Sequence, residues 1–452
     1  MAQRLAGVDV GTTNCKVGLY TVDGTPVVQR RRPTPADAGE LVAGVLEDLR
    51  DCVEEAGPPL AIGVTGVAEG GVPLDAELRP LRPLLWWHDD RAEEQARWLA
   101  RRVGRTPIFT TSGVDVAAKT PLATWLWLRH NEPDSLDRMR CWTSVPDLVA
   151  TALCGSPLTD RTLAGRTGAF DQRADRWDED LLALAGIRPA QLPGLVQAET
   201  AAGIPVVVAG HDHLVAAHAA GARAPGAVVD SLGTAEAVVT TTAEPPGAEA
   251  AGTGMSWNRS ADGAAWAMVS GFPHSGRLVE WLRSLTAGDY DTLERLADAV
   301  RRPTGIVVLP YLSGRAAPDP DPDRRLSVHG LGREHGLADM LVAVLEGACF
   351  HVRWMAERQA DHAGSGLGTL TVLGGPSRGR ALVDIKAHVM PGPTSLCTAG
   401  EAACTGAALL AGRAVGLPAP VLERTPLPRD DVLADRYDPI YRDFLSRAQE
   451  AA

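Results

Sequence analysis

The chain has 452 residues, 45% hydrophobic and 22% charged, a composition that excludes a disordered segment and leaves room for two domains. A formal charge of −12, with no arginine run interleaved with aromatics, repels a phosphate backbone and excludes nucleic acid as a partner. No apolar run reaches the ~20 residues that span a bilayer, and Met1 to Val10 already reads as a strand, so no membrane partner and a cytoplasmic location are expected. The seven cysteines include no C-x-x-C pair, which predicts reduced, mostly buried thiols. Lysine occurs only at Lys16, Lys119 and Lys386; arginine carries the remaining positive charge.

Leu5 to Tyr20 reads as strand, tight turn, strand, broken at Gly11, Thr12 and Thr13, and Asp23-Gly24 marks a second hairpin before Pro26 to Arg30. Leu41, Val42, Val45, Leu46, Leu49 and Val53 follow helical spacing between Asp37 and Glu55, with Gly57 as the stop, and Leu60 to Thr65 reads as a buried strand. This βββαβ opening differs from a Rossmann repeat. Trp86 to Arg91 precedes a helical run from Ala92 to Val103, and the apolar strand Pro205 to Val208 leads through Asp212 into an alanine-rich helix from His213 to Gly221. Punctuation at Ala222 to Gly226 predicts a boundary, giving domains of residues 1–224 and 225–452. The outline of Val8 to Thr12 then recurs at Asp230 to Thr234. Further on, the pattern predicts helices near Gly276 to Ser284, Leu337 to Gln359 and Ala402 to Ala414, strands at Gly305 to Leu309 and Leu370 to Leu373, and a proline-rich tail ending in a helix near Tyr441 to Ala451. The fold class is α/β.

Asp9 ends a buried strand, where its carboxylate suits Mg²⁺; Gly11, Thr12 and Thr13 follow with backbone N–H groups and hydroxyls for phosphate oxygens, and Lys16 lies within reach of a phosphate. An ordinary hairpin turn is the plainer reading, but Gly233-Thr234 repeats the arrangement. A P-loop is excluded because none of the three lysines follows glycine. Asp212 at a helix start is either an N-cap or a base that orients an acceptor hydroxyl; His211 and His213 alone make a poor metal site. Trp87, Asp89 and Arg91 form either a helix-capping cluster or a sugar site with an aromatic plane beside charged groups. Gly374, Gly375 and Gly406 either let a nucleotide approach the backbone or serve packing.

In order and spacing these segments resemble the FGGY carbohydrate kinases, a family related by fold to actin and hexokinase. Gly7 to Tyr20 resembles the first phosphate motif, Gly63 to Gly66 with Trp87 to Arg91 the substrate segment, Asp230 to Thr240 the second phosphate motif, Leu309 to Gly314 the P-Y-L-x-G segment, and Gly374-Gly375 with Gly406 the adenosine motif. Leu158-Thr159-Asp160 and Leu345-Glu346-Gly347 match connecting features. The resemblance implies two ribonuclease-H-like, actin-like ATPase domains around a central cleft, ATP and Mg²⁺, Asp212 as general base, and a small sugar, ketose or polyol as acceptor. It leaves the oligomeric state open, a homodimer included.

Three departures stand out. Glu69 replaces the histidine of the family's xylulose-type members; as an acceptor-only carboxylate it favours a donor-rich or cationic substrate, such as an aminosugar or a cyclitol, and disfavours a sugar acid. Gly314-Arg315-Ala316-Ala317 replaces G-E-R-x, and Pro376 follows the glycine pair, both bearing on the nucleotide. Glu69 and the Gly314 to Ala317 segment sustain one competing reading, a nucleotide- or sugar-binding sensor that has lost transfer.

Overall fold

The structure is a computed structural model describing residues 3–196, 198–233, 235–273, 275–286 and 289–450. The chain forms two compact units, Met1–Ala219 with Ser256–Trp266 and Glu401–Leu422, and Ala220–Met255 with Ala267–Gly400 and Glu423–Ala452.

In the first unit, β1 (Arg4–Val10), β2 (Asn14–Thr21) and β3 (Pro26–Pro33) form an antiparallel meander, followed by α1 (Ala38–Ala56) and β4 (Ile62–Gly66). Asp37 caps α1 by accepting the Gly39 and Glu40 N–H groups, and Leu41, Val45, Leu49 and Cys52 bury one face of the helix. The unit's sheet is completed by β5 (Glu199–Ala201) and β6 (Ile204–His211), in the order β5–β6–β4–β1–β2–β3. β1 pairs antiparallel with β2 and parallel with β4, which pairs parallel with β6. Leu5, Ala6, Val8 and Val10 are wholly buried, as a central strand covered on both faces requires. The helix α2 (Asp212–Ala219) continues directly from β6.

The second unit repeats this local plan. β7 (Val228–Leu232) pairs antiparallel with β8 (Glu236–Thr242) and parallel with β10 (Leu370–Gly374). The recurring sequence outline thus marks two central strands with equivalent neighbours. Between β8 and β10 lie β9 (Trp266–Phe272) and α3 (Leu337–Ala363); α4 (Arg380–Val389) and β11 (Thr394–Cys397) follow.

The chain then returns to the first unit as α5 (Ala402–Gly412), and ends in the second unit with β12 (Arg424–Pro426) and α6 (Asp431–Gln449). Six consecutive strands of the second sheet run β9–β8–β7–β10–β11–β12. With the return of α5, the first unit draws on residues from both sides of the expected boundary at 224 and 225. The cause is steric: α5 lies on β1 and β4 at backbone contact, tolerated because Gly7 and Gly63 carry no side chain. A Cβ would meet the Cys404 carbonyl oxygen at 2.0 Å from Gly7 and the Ala407 oxygen at 1.9 Å from Gly63.

The tail helix begins ten residues before the expected Tyr441. Asp430 caps it through the Val432 and Leu433 N–H groups, and it runs through Pro439 with Tyr437, Tyr441 and Phe444 buried. Arg315 helps hold its far end by donating to the Ala448 carbonyl and to Asp319, at 3.0 Å from Oδ2. The atypical arginine of the Gly314 to Ala317 segment is thereby committed to packing. Glu346 on α3 is fully buried beneath the same helix, accepting from the Thr304 Oγ1 at 2.6 Å and the Tyr437 hydroxyl at 3.0 Å. All seven cysteines are free thiols. No helix among the described residues is long and apolar enough to cross a membrane.

Two stability predictions follow from this packing. Gly63→Ala forces α5 off the sheet and is expected to cost about 3 kcal/mol, read as a lower Tm in thermal denaturation. Burial pushes the Glu346 carboxyl up to about 7. Since the folded state then holds a proton that the unfolded chain releases near pH 4.5, its contribution to stability is full at low pH and falls as pH rises toward 7. Glu346→Gln is expected to flatten the dependence of Tm on pH between 5 and 8; an unchanged slope would refute the assignment.

Candidate functional site

In the first unit, β1, β4 and β6 run parallel and deliver Asp9, Thr65 and Gly210 to one line across the sheet. Their carboxyl ends release the Gly11 to Thr13 turn, the Val67 to Gly70 segment and Asp212, the edge at which open α/β sheets bind ligands.

A bulge between Val208 and Gly210 turns β6 toward Asp212. Gly210 has φ +115°, and a Cβ there would lie 2.4 Å from the Thr162 Oγ1. Three side chains hold the bend. Thr65 Oγ1 donates to the Gly210 carbonyl at 2.6 Å, the His211 N–H donates to Thr162 Oγ1 at 2.8 Å, and Thr162 Oγ1 donates to Asp160. Asp212, the first residue of α2, accepts the N–H of its neighbour His213 at 2.6 Å, with His211 Nε2 3.4 Å away.

Asp9 is buried, and its Oδ2 accepts from Lys16 Nζ at 3.2 Å. Lys16 also meets Glu401 at 2.7 Å. Lys16 stands opposite Asp9 in the strand register and is the counter-charge to two carboxylates. Burial, partly offset by Lys16 and reinforced by repulsion from Asp212, pushes the Asp9 carboxyl up to about 6. Its Oδ1 is buried with no hydrogen-bond partner among the described residues. An orphaned carboxylate oxygen that also feels a second carboxylate fits a divalent cation. No group of three ligand-type side chains surrounds it among the described residues, as suits Mg²⁺, which keeps waters and substrate oxygens.

Trp87 Nε1 donates to Thr12 Oγ1 at 2.7 Å, tying the candidate sugar segment to the first phosphate turn. Asp89 and Arg91 pair at 2.7 Å, and the Arg91 guanidinium lies 4.9 Å from the Trp127 ring centroid. The following helix starts at Glu93 with Ala92 at its cap position and no side-chain cap bond, which removes the capping alternative for Asp89 and Asp90.

Glu69, at φ +65°, accepts on Oε1 from Arg166 Nε at 2.9 Å, from Arg166 Nη2, and from Lys119 Nζ at 3.2 Å. Arg166 Nη1 donates to Ser256 Oγ at 2.6 Å. Burial alone would raise the Glu69 carboxyl, yet Arg166, Lys119 and His211 hold it well below the usual carboxylate range. The carboxylate expected to favour a donor-rich or cationic substrate is thus already shared by two cations of the protein. Neither cation carried a site assignment in the sequence. The rarity of lysine was a signal for Lys119, whereas Arg166 is one of 41 arginines (44 basic residues less three lysines) and had none.

In the second unit, Gly233 forms a tight turn, its N–H donating to the Ala235 carbonyl at 2.9 Å, and Thr234 lies outside the described residues. Gly374, at φ +103°, stands opposite Leu232, whose oxygen a Cβ would meet at 2.0 Å, so the second turn and Gly374-Gly375 share one sheet edge. Gly406 is placed elsewhere. It sits on α5 in the first unit, where a Cβ would meet the Val215 oxygen of α2 at 2.9 Å, so the glycine lets the two helices pack closely.

The model of the FGGY family of carbohydrate kinases matches this chain with its N-terminal domain over residues 5–218 and its C-terminal domain over residues 228–415. The chain belongs to the FGGY family of carbohydrate kinases. It is 27% identical to a glycerol kinase of Nocardia farcinica over 92% of this chain and 91% of that protein, and 28% identical to a xylulose kinase of Streptomyces rubiginosus over 83% and 81%. In fold it resembles the ligand-bound xylulose kinase of Lactobacillus acidophilus, with a TM-score of 0.90 and 20% identity over 98% of this chain and 97% of that one.

The Glu69 cluster yields a test. Arg166→Met leaves a buried carboxylate with Lys119 alone and is expected to cost about 3 kcal/mol in denaturant unfolding, of which Glu69→Gln in the same chain returns a part. Additive losses would show that the two residues do not act as a pair.

Proposed function

We propose that this chain transfers the γ-phosphoryl group of ATP to a hydroxyl of a small sugar, ketose or polyol, with Asp212 as general base. The observation that carries the reading is the joint placement of Asp9 and Asp212 at the carboxyl ends of β1 and β6, which flank β4 in the parallel part of one mixed sheet, close enough for their charges to interact. The relatives named as glycerol and xylulose kinases support the same class of acceptor.

In this mechanism Asp212 accepts a hydrogen bond from the acceptor hydroxyl and aims its oxygen at the γ-phosphorus. The new P–O bond forms as the bond to the leaving ADP oxygen breaks, and the hydroxyl proton passes to Asp212. Because phosphoryl transfer runs through a loose transition state, orientation matters more than early deprotonation. The Thr65 and Thr162 bonds that pin the bulge fix that orientation. In the first unit the Gly11, Thr12 and Thr13 turn would meet phosphate oxygens; in the second, Gly233, Thr234, Gly374 and Gly375 would meet the nucleotide. Mg²⁺ held at Asp9 would neutralise phosphate charge. Trp87, Asp89, Arg91 and Glu69 frame the acceptor. The sensor alternative loses its footing, since both departures that sustained it, Glu69 and Arg315, have ion-pair and packing roles.

Asp212→Asn preserves shape and removes the proton acceptor. The expected result is a fall in kcat of about 10²–10⁴-fold in a coupled assay of ADP release, with KM for ATP within about twofold of the parent. Near-normal turnover would sink the base assignment.

A further inference from the structure

We propose that Lys119, held beside Glu69 and Arg166, is a carboxylate subsite, so that the acceptor is a hydroxylated carboxylic acid rather than a neutral polyol or an amine. The inference rests on the kinase reading above and names its substrate class.

The argument is one of charge. Arg166 and Lys119 place two positive charges on one carboxylate, and all three contacts converge on Glu69 Oε1. The side chains of Glu69 and Arg166 are each 9% exposed, whereas that of Lys119 is 41% exposed. An ammonium carries three N–H groups, and one contact with Glu69 on a side chain this exposed leaves donors for a further acceptor. Burial pushes the neighbouring His211 imidazole down to about 4, so it is neutral at pH 7, and its own carboxylate neighbour is Asp212. Counted against Glu69, Arg166 and Lys119 leave one positive charge in excess.

The other two lysines show how this protein completes such a charge. Lys16 meets Asp9 and Glu401, and Lys386 meets Asp230 and Glu236, both at 2.5 Å. Each ammonium sits between two carboxylates. Lys119 has one among the described residues, and a carboxylate on the substrate would be the second.

The site is also built. Lys119 lies in a turn closed by the Thr120 N–H to the Ala117 carbonyl at 2.9 Å and by the Ala117 N–H to Thr120 Oγ1 at 3.0 Å. Leu122 N–H then bonds the carbonyl of Thr167, next to Arg166, at 2.9 Å, so the segments bearing the two cations are tied together. Lysine suits this place because its compact charge meets a carboxylate without the fixed fork of arginine.

The experiment measures ADP release with acceptors matched in carbon number and stereochemistry: a neutral alditol or ketose, the corresponding aldonic acid, and the corresponding sugar phosphate. The enzymes are the parent, Lys119→Met and Lys119→Arg, with melting curves to verify folding and calorimetric titration of each acceptor without ATP. The expected result is a kcat/KM for the acid roughly tenfold above its neutral partner, a ratio that Lys119→Met lowers by about tenfold and Lys119→Arg largely restores. A preference for the neutral acceptor or the phosphate, or a ratio that Lys119→Met leaves unmoved, overturns the carboxylate subsite while the kinase reading stands. Acid binding that Lys119→Met weakens, without ADP release from any acceptor, supports the subsite and sinks the kinase reading. Neither binding nor turnover sinks both.

Discussion

Asp9 cannot be buried at the end of β1 unless something answers its charge, and much of the first unit is arranged to do so. Lys16 supplies the answer from the neighbouring strand, and Glu401 steadies Lys16 from a segment almost four hundred residues further along. Glu401 is there because α5 follows it at once and lies on β1 and β4. The glycines of those strands and the small residues of α5 are thus conditions for the electrostatics of the site. Even so, one oxygen of Asp9 has no hydrogen-bond partner among the described residues, and the same holds for Asp230 in the second unit.

The second unit solves the same problem by deeper burial. Lys386 from α4 is enclosed between Asp230 on β7 and Glu236 on β8, directly below the Gly233 turn. A buried ionic cluster of this kind contributes little net stability, because desolvation offsets the attraction, but it fixes which strand and helix must meet. Both units therefore hold a glycine turn at the end of a central strand whose neighbours are locked by a lysine between carboxylates.

The same principle gives Glu69 a different character from its chemistry in isolation. Read alone, a carboxylate in a substrate segment repels acids and attracts amines. With Arg166 and Lys119 on its Oε1, its charge is already answered within the protein. Asp212 shows the complementary case. Its position was legible because a strand, an acidic residue and an alanine-rich helix follow in order, while the bulge at Gly210 and its pins, Thr65 and Thr162, arise from segments up to 145 residues apart.

The sequence by itself determined what depends on near neighbours: the β-hairpins at Asp9 to Lys16 and Asp230 to Glu236, the capped helix after Asp37, the strand into Asp212, and through their order the family. Alternation, capping and turn chemistry act over a few residues and leave their mark in the string. Only the tertiary structure decided the return of α5 to the first unit, the packing role of Gly406, the continuation of α6 through Pro439 and the charge around Glu69. Each of these turns on a contact between distant segments, such as Glu69 with Arg166 across 97 residues. Long-range pairing of that kind is fixed by which surfaces fold together, and no local pattern in a chain with 41 arginines and three lysines, taken from 44 basic residues, singles out the arginine that will be used.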